Sequence, residues 1–202
     1  MKRSADWPAR GIRVLTGATV DPGAPTQTKL EQLMFRALTL AALGSAVLVV
    51  GPANAQSLPT IKLLPLALAN EAAMEAVAVC EKSGYHVAAT VVDASGIVKA
   101  VAKGDGTPPH TIDSSRGKAY STVSLGSTFS EGSNSAIIAR VGGGPAFGPL
   151  QHLPGVFLVA GGVMLKSGNQ IVGAIGVGGA PGGDKDEVCA KAAADKIADR
   201  LK

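Results

Sequence analysis

Aromatic side chains make up 3% of this 202-residue chain, which holds two cysteines, three histidines and one tryptophan. That shortage of reactive groups excludes several classes of chemistry. No CxxC, HExxH, GxSxG or GxxxxGK occurs, so dithiol exchange, zinc proteolysis, serine hydrolysis of the elbow type and P-loop phosphate binding lack their residues. The formal charge of +4 owes much to Lys2, Arg3, Arg10, Arg13, Lys29 and Arg36 near the start. From Gln56 onward acidic and basic residues nearly balance, and no basic run is interleaved with aromatics, so a nucleic-acid interface has no electrostatic footprint.

What is abundant is glycine, 26 residues of it, together with alanine and valine, a composition that suits one compact α/β or α+β domain. Residues 34–55 read MFRALTLAALGSAVLVVGPANA. Arg36, an apolar run from Ala37 to Val50, the breaker Gly51-Pro52 and small residues at Ala53 and Ala55 form a secretory signal peptide with cleavage after Ala55. The apolar run is shorter than the roughly 20 residues of a membrane span, so no stable span is expected in the mature chain. Residues 1–33 lack periodicity and carry Pro8, Pro22 and Pro25; they read as a non-native or disordered extension ahead of the internal start at Met34. The mature domain is then 56–202, placed in the periplasm or secreted.

Within it, Leu66, Ala69, Ala73, Val77 and Cys80 keep helical spacing from about Pro65 to Lys82. Tyr85 to Val92 and Ile97 to Lys103 read as a hairpin turned at Asp93-Ala94-Ser95-Gly96, with His86, Ala88, Thr90 and Val92 on one face. The loop GDGTPPHT delivers His110 to a helix capped by Thr111 and running to about Leu125. Ile112, Ala119 and Val123 face inward, and Arg116 and Lys118 are left for solvent or a ligand. A Thr128/Glu131 capping box opens a short helix through Ala139. The glycine cluster Gly142 to Gly148 makes a loop, and strands are expected at Val156 to Ala160, Val163 to Lys166 and from Ile171.

The last unit is the most strongly patterned. Gly173 and Gly176 mark a buried strand crossed closely by another backbone. It breaks at Gly178, Gly179, Pro181, Gly182 and Gly183, and Asp184 with Glu187 forms a capping box for a helix that buries Cys189, Ala193, Ile197 and Leu201. Asp184, Asp186 and Glu187 would repel a phosphate at this helix start. Capping explains the three carboxylates more economically than a metal, so no metal site is expected. Cys80 ends the first helix and Cys189 begins the last. Antiparallel packing would bring the sulfurs to one end, where they can pair in an exported protein or stay thiols. The order α, β, β, α, α, β, β, β, α implies a five-stranded antiparallel sheet flanked by helices.

The ordered set VVD-x-x-G, R-x-K-A, G-A-I-G-V and DE-x-C-A, spread from about Leu63 to the end, resembles the GlcG/HbpS family, also met as the C-terminal domain of PduO-type proteins. The resemblance implies a profilin-like three-layer α/β/α domain, a homo-oligomer and, in some members, haem binding or degradation. Haem requires an axial donor, an apolar slot and cations for its propionates. His110 has the best setting, near Arg116 and Lys118; His152 comes second, and His86 reads as a structural histidine within a strand. The pocket is expected between the His110 loop, the Gly142 to Gly148 loop and the Gly178 to Gly183 loop. An alternative is an enzyme or accessory protein acting on a small organic acid or aldehyde, as other members occur in glycolate- or diol-utilisation settings. Without a catalytic constellation of its own, the chain would leave any catalysis mainly to the cofactor.

Overall fold

The computed structural model describes residues 57–202; the leader and the extension read from the sequence lie outside them. The elements are α1 (Leu66–Lys82), β1 (Ala88–Asp93), β2 (Val98–Lys103), α2 (Thr111–Phe129), α3 (Asn134–Val141), α4 (Phe147–Gln151), β3 (Gly162–Ser167), β4 (Gln170–Gly178) and α5 (Gly183–Ala198). The sheet is antiparallel in the order β2-β1-β4-β3. It has four strands among the described residues, not five.

The missing strand is the apolar run at Val156 to Ala160, which has β-forming residues but no ladder. Side chains occupy its backbone instead. Ser121 Oγ accepts from Phe157 N at 2.7 Å, and Asn134 Nδ2 donates to Val159 O at 3.1 Å. Beyond the run, Glu187 Oε2 accepts from Gly161 N at 2.9 Å. The sheet's outer strand therefore begins only at Gly162, which pairs with Gly176.

The two faces of the sheet are covered differently. On one, α1 and α5 bury small apolar residues, with Ala69, Ala72, Ala73, Ala76, Ala190 and Ala193 against Val91, Ile175 and Val177. Alanine lets the two helices approach, and ion pairs of Glu71 with Arg200 and Glu75 with Lys196 show that they run antiparallel. A disulfide joins Cys80 to Cys189, with their Cα atoms 5.6 Å apart. On the other face lies α2, whose Ala119 and Val123 pack on Val92 and Ala174. Its close approach to β4 is made by glycine: a Cβ on Gly176 would collide with Ser115 O and lie 2.5 Å from Ala119 N.

The hairpin turn forms as read, with Asp93 Oδ1 accepting from Ser95 N at 2.9 Å and Ile97 N at 3.0 Å and Gly96 at φ +77°. Helix boundaries differ from the local reading. The N-cap position of α2 is His110, whose side chain caps nothing, and Thr111 Oγ1 donates back to Pro108 O at 2.7 Å. The helix runs on to Phe129 and closes at Ser130 in the left-handed region (φ 59°), so Thr128 lies inside α2 and cannot cap α3. Ser133 caps α3 instead, accepting from Ala136 N. Gly182, not Asp184, occupies the N-cap position of α5. Ile112, placed inward by its spacing, is exposed, and His86 precedes the strand rather than lying in it. A short α4 forms within the stretch read as a glycine and proline loop.

Candidate functional site

The N-terminal half of α2 faces two adjoining clefts. The first, of about 350 Å³, lies between His110, Asp113, Arg116 and Gly117 on the helix side and Gly155 to Phe157 on the other. The second, of about 260 Å³, shares His110, Ser114 and Phe157 and is walled by Val159 and the Gly179 to Gly183 loop, with Lys118 and Asp186 also lining it. Glycine makes the geometry possible. A Cβ on Gly117 would lie 2.7 Å from Phe157 Cβ, and Gly155, at φ +81°, sits against the Tyr120 ring.

The structure brings together some of the residues singled out in the sequence and separates others. His110 and Arg116 are exposed and line the first cleft. His152 is exposed at the end of α4 and lines neither cleft. His86 is exposed, its Nδ1 2.8 Å from Asp105 O, which leaves it a structural role at the turn before α2. Of the loops expected around one haem pocket, Gly179 to Gly183 walls the second cleft and not the first, and Gly142 to Gly148 lines neither; Gly155 to Val159 takes that place.

Lys118 is the largest departure. Left by its spacing for solvent or a ligand, it lies in the interior at the second cleft, 3% exposed, and its Nζ donates to Asp186 Oδ2 at 2.6 Å. Asp186 is 2% exposed, and its other oxygen accepts from Ala180 N at 3.0 Å. Burial pushes the Asp186 carboxyl above the ordinary carboxylate range, against the pull of Lys118 and of the Ala180 N–H. Around the pair runs a connected polar set. Thr122 Oγ1 bonds Lys118 O and Asn134 Oδ1, each at 2.9 Å, and Asn134 Nδ2 donates to Lys118 O at 3.1 Å. Glu187 joins α5 to α3 through Ser135 N and Ser135 Oγ. Two of the three carboxylates read as a capping cluster, Asp186 and Glu187, thus work across the fold. Among the described residues no group of His, Cys, Asp and Glu is arranged to hold a metal.

Phe157 was not singled out in the sequence, although it supplies the apolar wall common to both clefts. Its one local signal is an aromatic inside the run VFLVA, in a chain with few aromatics.

An antiparallel sheet with helices on both faces and glycine-walled clefts along α2 defines the class as a mixed α and β domain. A family model described as "Haem degrading protein HbpS-like" matches residues 64–195, and the chain belongs to that family. A crystal structure of a double mutant of HbpS from Streptomyces reticuli is 35% identical, covers 73% of this chain and 97% of its own, and superposes with a TM-score of 0.62. A further HbpS structure is 34% identical, covering 70% and 94%, with a TM-score of 0.63. A complex of PduOC with heme shares the fold at 20% identity, covering 67% and 96%, with a TM-score of 0.60. A search of curated proteins found no match.

Proposed function

We propose that this domain binds haem in the first cleft. The observation that carries the reading is the meeting, in one open groove, of an imidazole at His110, a guanidinium at Arg116 and an apolar wall at Phe157. These are the donor, the propionate partner and the flat contact that haem requires. Gly117 and Gly155 let Phe157 and the Tyr120 ring pack directly on the backbone beside the groove. Family membership and a fold neighbour crystallised with heme support the reading. Bound haem would supply iron-centred redox chemistry, including the degradation named in the family's description; the chain's part is to hold and orient it and exclude water from one face.

Titration of ferric haem into the mature protein is expected to give a saturable Soret change. His110→Ala is expected to weaken it or change the axial-ligand spectrum. Arg116→Ala weakens it less, since a solvent-screened ion pair contributes about 0 to 1 kcal/mol. A change with His152→Ala alone would move the ligand assignment and leave the function standing. Absence of saturable binding in both oxidised and reduced states would remove the haem reading.

Export belongs to the same proposal, supported by the leader pattern of residues 34–55 and by a cystine of the kind found in oxidising compartments. N-terminal sequencing of protein from the periplasm or medium checks cleavage before Gln56. Among the described residues no helix is long and apolar enough to cross a membrane. Homo-oligomeric assembly is the remaining element, to be read by light scattering with and without haem.

A further inference from the structure

The second cleft is not needed to explain haem binding, and at its base lies a buried ion pair. Lysine carries three N–H donors. Among the described residues Lys118 Nζ has a single hydrogen-bond partner, Asp186 Oδ2, so two donors are unused on a side chain only 4% exposed. Buried donors without acceptors are costly, and an acceptor brought by a ligand relieves that cost. Lys118 nevertheless lines the second cleft, whose adjacent wall is Gly179, Gly182 and Gly183, while Gly161 packs closely on its far side, where a Cβ would lie 2.8 Å from Nζ.

Charge decides the kind of ligand. Asp186 already neutralises Lys118, and Asp184 stands in the first turn of the same helix, so phosphate or another strong anion gains little here. The matching acceptor is a neutral carbonyl oxygen, and a cleft of about 260 Å³ suits a small molecule that carries one. A lysine holding a carbonyl oxygen beside a carboxylate is also placed to react with the carbonyl carbon. We infer that the cleft takes small aldehydes or ketones and that Lys118 condenses with them to form an imine.

The step balances with Asp186 as proton carrier. Asp186 takes one proton from the Lys118 ammonium, freeing the amine lone pair. The nitrogen attacks the carbonyl carbon, forming the C–N bond, and a proton passes from nitrogen to the former carbonyl oxygen to give the carbinolamine. Asp186 then returns its proton to the departing hydroxyl, which leaves as water. The product is a protonated imine facing the Asp186 carboxylate, so one charge of each sign is present before and after. The raised proton affinity of Asp186 favours the first transfer.

The test is reductive trapping on the full chain without haem, so that its failure leaves the haem reading untouched. Protein is incubated with acetaldehyde, or separately acetone, and sodium cyanoborohydride, and alkylated lysines are mapped by peptide mass spectrometry over time. Lys118 is expected to be labelled ahead of exposed lysines such as Lys103 and Lys191, despite its burial. Lys118→Met is expected to abolish the early label. Asp186→Asn is expected to slow labelling at Lys118 while leaving surface sites unchanged, with circular dichroism checking the fold. If either variant fails to fold, the wild-type time course decides alone. Labelling of Lys118 no faster than the exposed lysines overturns the inference.

Discussion

The two faces of the sheet are built on different principles. Toward α1 and α5, β4 presents Ile175 and Val177, and the layer is closed by alanines, Ile197 and a disulfide. Toward α2 the same strand presents Ala174, Gly176 and Gly178, and the neighbouring buried set includes Thr90, Ser115, Ser121, Thr122, Asn134, Lys118 and Asp186. One face is held by apolar contact, which is non-directional, and by a covalent tie. The other is held by hydrogen bonds, which fix positions but depend on every partner being present. Both clefts lie on the second kind of face, where backbone and polar atoms remain near the surface and small residues leave room.

This contrast can be tested from its largest effect downward. Removing the disulfide by Cys80→Ala with Cys189→Ala is expected to lower stability by about 4 kcal/mol, the order for closing a loop of this length. Denaturant midpoints measure the loss, and haem titration should be nearly unchanged because the bridge lies behind the opposite face. Asn134→Ala is expected to cost about 1 to 3 kcal/mol, as it strands buried partners. Unlike the cysteine changes it should also loosen the Phe157 wall, seen as weaker haem binding than its stability loss explains. A result in which Asn134→Ala changes only stability would erase the functional difference between the faces.

A smaller effect lies in the pH dependence. Asp186 has its folded proton affinity raised above the ordinary 3.8, chiefly by burial. The folded state then holds its proton more tightly than the unfolded state, so this group's contribution to stability falls as pH rises from about 3.8 through the raised value. Asp186→Asn is expected to remove that slope from a plot of denaturant midpoint against pH. Glu71, lowered by Arg200, contributes with the opposite sign and remains in both proteins.

Local pattern made most of the fold legible. Helical spacing located α1, α2 and α5, and turn chemistry at Asp93 to Gly96 located the hairpin. The glycines of β4 announced a close backbone crossing, which Ser115 and Ala119 provide. The pattern was less informative where distant side chains override it. Val156 to Ala160 has a strand's composition, but Ser121 and Asn134 take up backbone groups that a ladder would use. Lys118 reads as a helix-surface cation because its partner Asp186 is 68 residues away. Glu187 has capping-box spacing from Asp184, yet spends its oxygens on Gly161 and Ser135. At the site, His110 and Arg116 were visible as neighbours along one chain segment. Phe157 was not, since nothing local places a loop residue opposite a helix.

The Cys80 to Cys189 bridge spans a sequence separation of 109 residues and so turns the centre of the domain into a covalent ring. All four strands, α2 and most of the cleft walls lie inside that ring, while most of α1 and the rest of α5 are tails leaving it at one point. The exposed Gly142 to Gly144 run is also inside it. A protease that nicks this run opens the polypeptide without dividing the molecule, and the two pieces travel as one species until a reductant reaches the buried sulfurs. For such a domain, surviving a backbone cut is a matter of thiol state before it is a matter of an unbroken backbone.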